Sequence, residues 1–498
     1  MVTTMKVLLI NPPQLFYPGS DPPAGNLPLG LMYLAAVLDK AGYKAEILDA
    51  FMTDSSFLQL GDILEVGMPY GKIREEIRQR KPDIVGIASP FTCQAENALR
   101  VGDIVKEVDP SILTVVGGPH VTAVPVEFLE EAKNIDVAVI GEGEYTMLDI
   151  AKVFEGTKKI SDVQGVAYLE DGIVKQNALR PFIKDLDELP FPAYHLVDME
   201  KYLSTRKIEY RSFKDRAVSM ITSRGCPFNC SFCSVHLHMG KTFRAHSVNY
   251  VIKHIEYLVN KFGVKTIFFE DDNLTFDLNR FEAICENIIE KGIRLNWETP
   301  NGIRADYLTL SLLKKMKKAG CQSVFFGIES GDQCVLDNVI GKSLDLKKVA
   351  KVAKMCKDIG LSTAAFYIIG FPGEKKEHML KTIELALRLK RDFDVGMLLH
   401  FATPSLGTRL YEECKEKGYI QGDLTSRAFA EVRQTWGMPL IRTEDFAPSE
   451  VKEIAAIAVK RYKRLSIINY FKNPRKTLKT ALNQPKIVLK FIQNLQSG

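Results

Sequence analysis

Short apolar runs alternate with amphipathic stretches through the first 155 residues. The runs at 6–10, 44–48, 82–88, 113–116 and 137–140 read as buried strands, and 29–41, ending at Gly42, reads as a helix. Strands that are apolar throughout and separated by helices predict a parallel, doubly wound α/β sheet. In such sheets ligands bind beyond the carboxyl ends of the strands. The polar and Gly-rich segments fall there: Asn11-Pro12-Pro13, Ser89-Pro90-Phe91-Thr92, Gly117-Gly118-Pro119-His120 and Gly141-Glu142-Gly143-Glu144.

A second alternating series begins after 210. Its strands are expected at 217–222, 266–270, 295–298, 323–328, 363–368 and 395–401, with helices such as 248–262, 280–291, 311–319 and 347–359 between them. Six βα units predict a partial (β/α)6 TIM-type barrel with its active face at the carboxyl ends of the strands. The pattern divides the chain into 1–155, a connector at 156–210 whose stretch 185–194 is rich in proline and acid, a barrel at 211–435, and a helical C-terminal region at 436–498, broken at Pro474 and Pro485. No internal repeat or low-complexity segment interrupts it.

Composition changes this picture little. A chain of 498 residues with 46% hydrophobic and 26% charged residues suits a globular protein of several domains. The apolar run near the N-terminus is too short for a signal peptide or a membrane span, which points to the cytoplasm. Charge is more informative. From Val451 onward there are eleven Lys and Arg against Glu453 alone, so this segment is about +10 and the first 450 residues about −5, within a net +5. Basic residues beside apolar ones, as around Tyr462, fit either a helix packed on the barrel or a peripheral membrane contact. No RNA-binding module accompanies the charge, so nucleic acid is not expected.

The chemistry is concentrated in Arg224-Gly225-Cys226-Pro227-Phe228-Asn229-Cys230-Ser231-Phe232-Cys233, directly after the first barrel strand. A C-x3-C-x2-C loop supplies thiolates for three irons of a cubane and leaves the fourth iron open. His236 and His238 stand close enough to keep a zinc site as the competing reading. The other cysteines (93, 285, 321, 334, 356, 414) show no C-x2-C pairing and read mostly as small core residues.

This loop resembles that of the radical S-adenosylmethionine (SAM) superfamily, and the resemblance extends over roughly 210–420. Phe232 matches the aromatic residue often found before the last cysteine. Phe269-Glu270-Asp271-Asp272-Asn273, Gly327-Ile328-Glu329-Ser330-Gly331 and Gly370-Phe371-Pro372-Gly373-Glu374 follow in the family's order. The resemblance implies an oxygen-sensitive 4Fe–4S cluster on Cys226, Cys230 and Cys233. It also implies SAM chelating the open iron and yielding a 5′-deoxyadenosyl radical, with SAM contacts from Glu270, Asp272 and Glu329. Methylthiolating relatives need three cysteines upstream, where this chain has only Cys93.

The N-terminal segment resembles the Rossmann-like cobalamin-binding domain fused to many radical SAM enzymes. The residues that carry the resemblance are Asn11, Pro12 and Pro13, the 28–31 segment, Gly117, Gly118, His120 and Thr122, and Gly141, Glu142, Gly143 and Glu144; Ser89 and Thr92 sit at the equivalent strand end. The Asp-x-His-x-x-Gly of mutases is absent, and no His precedes His120, so cobalamin is expected base-off without a histidine on cobalt. No G-x-G-x-x-G opens a helix, which argues against a dinucleotide. Together the two resemblances imply cobalamin-dependent methylation of an unactivated carbon, supplied with electrons by a low-potential ferredoxin or flavodoxin. The substrate is expected to be a small molecule, a lipid or other apolar compound among the choices. Radical cyclisation or oxidation of a lipid or tetrapyrrole is the alternative on the same scaffold, and a non-catalytic metal- and cobalamin-binding sensor is the alternative from another class.

Overall fold

The computed structural model describes residues 5–16, 26–52, 56–60, 63–205, 207–208, 211–212, 216–432 and 437–472. Thirteen strands form its two large sheets. The first sheet contains β1 (Lys6–Asn11), β2 (Lys44–Asp49), β3 (Ile84–Ala88), β4 (Leu113–Gly117), β5 (Val137–Val139), β6 (Val166–Glu170) and β7 (Ile173–Gln176), in the order β7-β6-β5-β4-β3-β1-β2. The first five are parallel, and β6 and β7 add an antiparallel hairpin at one edge. The connector expected from 156 therefore starts later, because 166–176 belongs to this sheet. Alternate residues of β1 enter different cores: Val7 and Leu9 pack on one face, Leu8 and Ile10 on the other. This burial on both faces is why the strand sequence shows no polar alternation. The strand order reverses between β1 and β3, which opens a crevice at their carboxyl ends.

The second sheet contains β8 (Ala217–Met220), β9 (Thr266–Phe269), β10 (Asn296–Ile303), β11 (Cys321–Glu329), β12 (Ser362–Ile369) and β13 (Gly396–Phe401), all parallel and in sequential order. This is the expected open six-stranded barrel. Trp297, fully buried, fixes β10 by donating from Nε1 to Ala319 O at 2.9 Å. The sequence pattern missed a small antiparallel sheet of Gln14–Phe16, Ser56–Leu60 and Ile63–Gly67 beside the crevice.

The acid- and proline-rich strap joins the two bodies. Ala193 N donates to Met32 O of the helix Leu29–Lys40, and the Tyr194 hydroxyl lies 2.8 Å from Nε2 of His254 in the barrel helix Val248–Phe262. One apolar core runs from that first helix through Tyr194 and Met199 into the barrel. The helix Pro448–Lys472 lies on the barrel helix Lys376–Phe393. It buries Val451, Ile454 and Ala458, pairs Arg461 with Glu384, and places Tyr462 under the Lys390 ammonium. The packed alternative therefore holds for this part of the basic segment. Pro474 and Pro485 lie outside the described residues.

A charged joint completes the assembly. Arg224 donates to Glu142 at 2.8 Å and to Glu144 at 2.7 Å, and Arg244 donates to Glu142 at 2.8 Å, with all four residues buried. Replacing Arg224 by Met leaves Glu144 without its cation in a dry setting, so the variant should lose about 3–5 kcal/mol of stability, read as a lowered unfolding midpoint. Arg224→Lys should fall between it and the parent, because an ammonium cannot span both carboxylates as a guanidinium does.

Candidate active site

The crevice of the first sheet holds a cavity of about 440 Å³. Asn11, Gly117, Gly118, Gly141, Glu142, Gly143 and Glu144 line it, as their positions at strand ends require. Gly118 has φ +128, and a Cβ there would lie 2.6 Å from Ser89 O, so only glycine permits this close approach of loops. Six residues expected as cofactor contacts stand behind that wall. Pro12 and Pro13 are buried under the small sheet, where a Cβ on Gly67 would meet Pro13 Cβ at 2.9 Å. Ser89 is fully buried, and Thr92 Oγ1 lies 3.2 Å from His120 Nδ1. Burial lowers the His120 pKa to about 4. Thr122 Oγ1 accepts from Gly141 N at 3.0 Å. These groups shape the loops and do not face the cavity. Glu142 and Glu144 reach the wall, but their carboxylates are engaged by the arginines, and Glu142 also accepts from Ile183 N at 2.7 Å.

The barrel supplies the opposite side of this cavity through Ile221, Arg224, His238, Met239 and Glu270. His238, considered in the sequence as a zinc ligand, stands instead on this wall, contributed by the other domain. Burial lowers its pKa to about 4, which keeps the ring neutral.

At the mouth of the barrel a second cavity of about 630 Å³ gathers every residue expected there: Cys226, Cys230, Cys233, Phe232, Glu270, Asp272 and Glu329. The cysteine loop leaves β8 through a short strand, Ser223–Arg224, paired with Arg244–Ala245. Gly225 turns it with φ +81; a Cβ there would sit 2.4 Å from Thr242 O. Cys226 N donates to Gly240 O, Cys233 N to Cys230 O and Ser231 N to Ile340 O, while Gly225 N donates to Asp272 Oδ2 at 2.9 Å. Asp271, one residue earlier, is buried and accepts from Thr222 N and from the hydroxyls of Thr222 and Ser223. The acidic cluster at the end of β9 thus divides its work, with Asp271 and Asp272 pinning the loop. Ser219 donates to Glu270. Phe232 packs on Phe371 at 5.9 Å between ring centres.

Among the described residues, no three His, Cys, Asp or Glu side chains converge to hold a single metal ion. A structural zinc needs such convergence. Three thiols on the wall of one cavity suit separate corners of a cubane. Asn273 Nδ2, 3.6 Å from Cys226 Sγ, adds a donor that the pattern did not single out. Burial pushes the Cys233 thiol up to about 12 and raises those of Cys226 and Cys230 as well. Only bound cations would hold such buried sulfurs as thiolates. Of the other cysteines, 93, 285, 321, 356 and 414 are buried, as expected of core residues, and Cys334 is exposed. The two cavities meet: Asn26, whose Oδ1 is buried without a hydrogen-bond partner, and Glu270 belong to both walls.

A doubly wound domain open at its switch point, facing a cysteine loop at the mouth of a six-stranded barrel, defines a radical SAM enzyme with a cobalamin-binding domain. Residues 220–386 match the model of the radical SAM superfamily, and residues 26–151 match that of the B12 binding domain. The chain is 34% identical to an uncharacterized methyltransferase of Pyrococcus horikoshii over 82% of its own length and 83% of that protein's. It is 31% identical to the anaerobic magnesium-protoporphyrin IX monomethyl ester cyclase of Rubrivivax gelatinosus, over 83% and 70%. The solved radical SAM methyltransferase TsrM of Kitasatospora setae, with cobalamin and a [4Fe–4S] cluster bound, superposes with a TM-score of 0.65 at 16% identity, covering 91% of this chain and 85% of that one. The chain belongs to the cobalamin-dependent radical SAM methyltransferase family, and is an enzyme that uses a 4Fe–4S cluster, SAM and cobalamin. No helix among the described residues is long and apolar enough to cross a membrane.

Replacing Cys230 by Ala removes a thiolate that no neighbouring cysteine can supply. Iron content and 5′-deoxyadenosine formation should both collapse while far-ultraviolet circular dichroism stays that of the parent. A variant that still cleaves SAM at the parent rate would show that these cysteines do not hold the cluster.

Proposed function

We propose that the enzyme methylates an unactivated carbon of a small molecule. The observation that carries this reading is the wall at Asn26 and Glu270, which the crevice of the first domain shares with the cavity of the cysteines. When bound, the cluster and SAM supply a radical that removes hydrogen from carbon, and cobalamin supplies the methyl group. The chain's own part is position and shielding. Glu270, Asp272 and Glu329 line the cavity with the cysteines, and we assign to them the contacts with SAM. Phe16, Ile303, Phe366, Ile368 and His400 offer the substrate a largely apolar wall. We assign the apolar part of the substrate to that wall, and the electron supply to a low-potential ferredoxin or flavodoxin.

Cyclisation without methyl transfer is the second reading, favoured by the similarity to the porphyrin cyclase. By-products separate the two before any substrate is known. Under reductant, enzyme loaded with cobalamin should form S-adenosylhomocysteine in an amount matching its cobalamin content. Enzyme without cobalamin should form only 5′-deoxyadenosine. If no S-adenosylhomocysteine appears with cobalamin bound, methylation is excluded and the cyclase reading stands.

The basic residues beyond Lys472 carry the remaining proposal, a reversible contact with an anionic membrane where an apolar substrate would reside. Each engaged Lys or Arg adds on the order of 1 kcal/mol. Flotation with phosphatidylserine liposomes should be salt-sensitive for the full chain and lost on truncation after Lys472, which keeps the docked helix intact. Equal flotation of both, or of neither, removes the contact.

A further inference from the structure

Two cationic side chains, Lys342 and Arg304, line the cysteine cavity. Lys342 lines the wall with the three cysteines. Its side chain retains 12% of its exposure, and its ammonium donates to Glu329 Oε1 at 2.6 Å. The pair lies over bare backbone: a Cβ on Gly327 would stand 2.7 Å from Lys342 Nζ and 2.8 Å from Glu329 Oε1.

The chain fixes this ammonium with unusual thoroughness. Glu329 and Ser343 both take left-handed backbone, φ +66 and +53, which non-glycine residues adopt only where their surroundings impose it. Arg304, buried, donates to the carbonyls of Lys342 and Ser343 at 2.8 and 2.9 Å, is neutralised by Asp306, and stacks 4.3 Å over Phe228 of the cysteine loop. The adjoining segment grips the same loop directly. Ser231 N donates to Ile340 O at 2.8 Å, and Arg409 donates to Asn229 O at 3.1 Å beside Gly341. The loop residues on either side of Cys230 are thereby tied to the residues just before Lys342.

We propose that Lys342 is a positioning residue for the electron: a fixed positive charge that raises the reduction potential of the cluster held by Cys226, Cys230 and Cys233, partly offset by Glu329. A cluster on three thiolates gains one more negative charge on reduction. A largely buried ammonium in the wall of the same cavity stabilises that form over the oxidised one. The assignment does not depend on which group the enzyme transfers.

The test is an EPR-monitored redox titration of the full-length reconstituted protein, with dithionite and mediators and without SAM, so that a contact to SAM cannot contribute. Lys342→Met should lower the midpoint, Lys342→Arg should keep it near the parent value, and Glu329→Gln, which removes the offsetting carboxylate, should raise it. Opposite shifts from Lys342→Met and Glu329→Gln are the signature of charge, since general disruption of the loop gives no such pairing. A Lys342→Met midpoint equal to the parent at full iron content overturns the proposal, as do shifts of one sign in both variants. If Lys342→Met takes up no iron, Glu329→Gln decides, and a midpoint at or below the parent overturns it. Loss of iron from both means that the pair retains the cluster and does not tune it, which also overturns it.

Discussion

The joint of Glu142 and Glu144 with Arg224 and Arg244 is the constraint on which the rest of this molecule depends. Four charges out of water are costly alone and tolerable only in good mutual geometry. That requirement leaves little freedom in how the crevice loop of the first domain meets the cysteine loop of the barrel, because Arg224 lies two residues before Cys226. The strap through Ala193 and Tyr194 and the continuous apolar core hold the same relation from the far side. A cavity wall made jointly by both domains follows from that fixed relation.

The first layer of the site was legible in the sequence because its signals are local. Three cysteines within eight residues, and acidic or Gly-rich turns at strand ends, announce themselves without a partner. All seven barrel residues expected at the site do line one cavity. The second layer was not legible, because it is built by contacts between segments far apart in the chain. Glu142 and Glu144 look like loop acids until Arg224, some eighty positions away, is brought against them. Ser89 and His120 sit in the right loops but turn inward, a choice made by packing and not by position. The hairpin of β6 and β7 resembles a connector in sequence because its outer strand is mostly exposed and carries no buried-strand signature.

Substrate selection by such a scaffold falls to few side chains. At the barrel mouth Asp271 and Asp272 hold the cysteine loop, Glu329 holds Lys342, Glu270 accepts from Ser219, and Arg304 is committed to Asp306 and to carbonyls. What remains facing the open part of the cavity is mainly aromatic and aliphatic. Rigid polar groups that serve the cofactors and a replaceable apolar wall that serves the substrate are separate sets of residues, so the wall is free to vary while the chemistry is kept.

The wall shared by the two cavities bears on modularity. A first domain grafted onto a foreign barrel would bring its sheet and glycines but leave behind Ile221, Arg224, His238, Met239 and Glu270, the barrel's side of the wall that encloses its ligand. A workable chimera of this enzyme would have its crossover points placed so that 221–239 and 270 travel with residues 5–176. The unit that is inherited intact is then the interface, and the boundary between the folded bodies is the wrong place to cut.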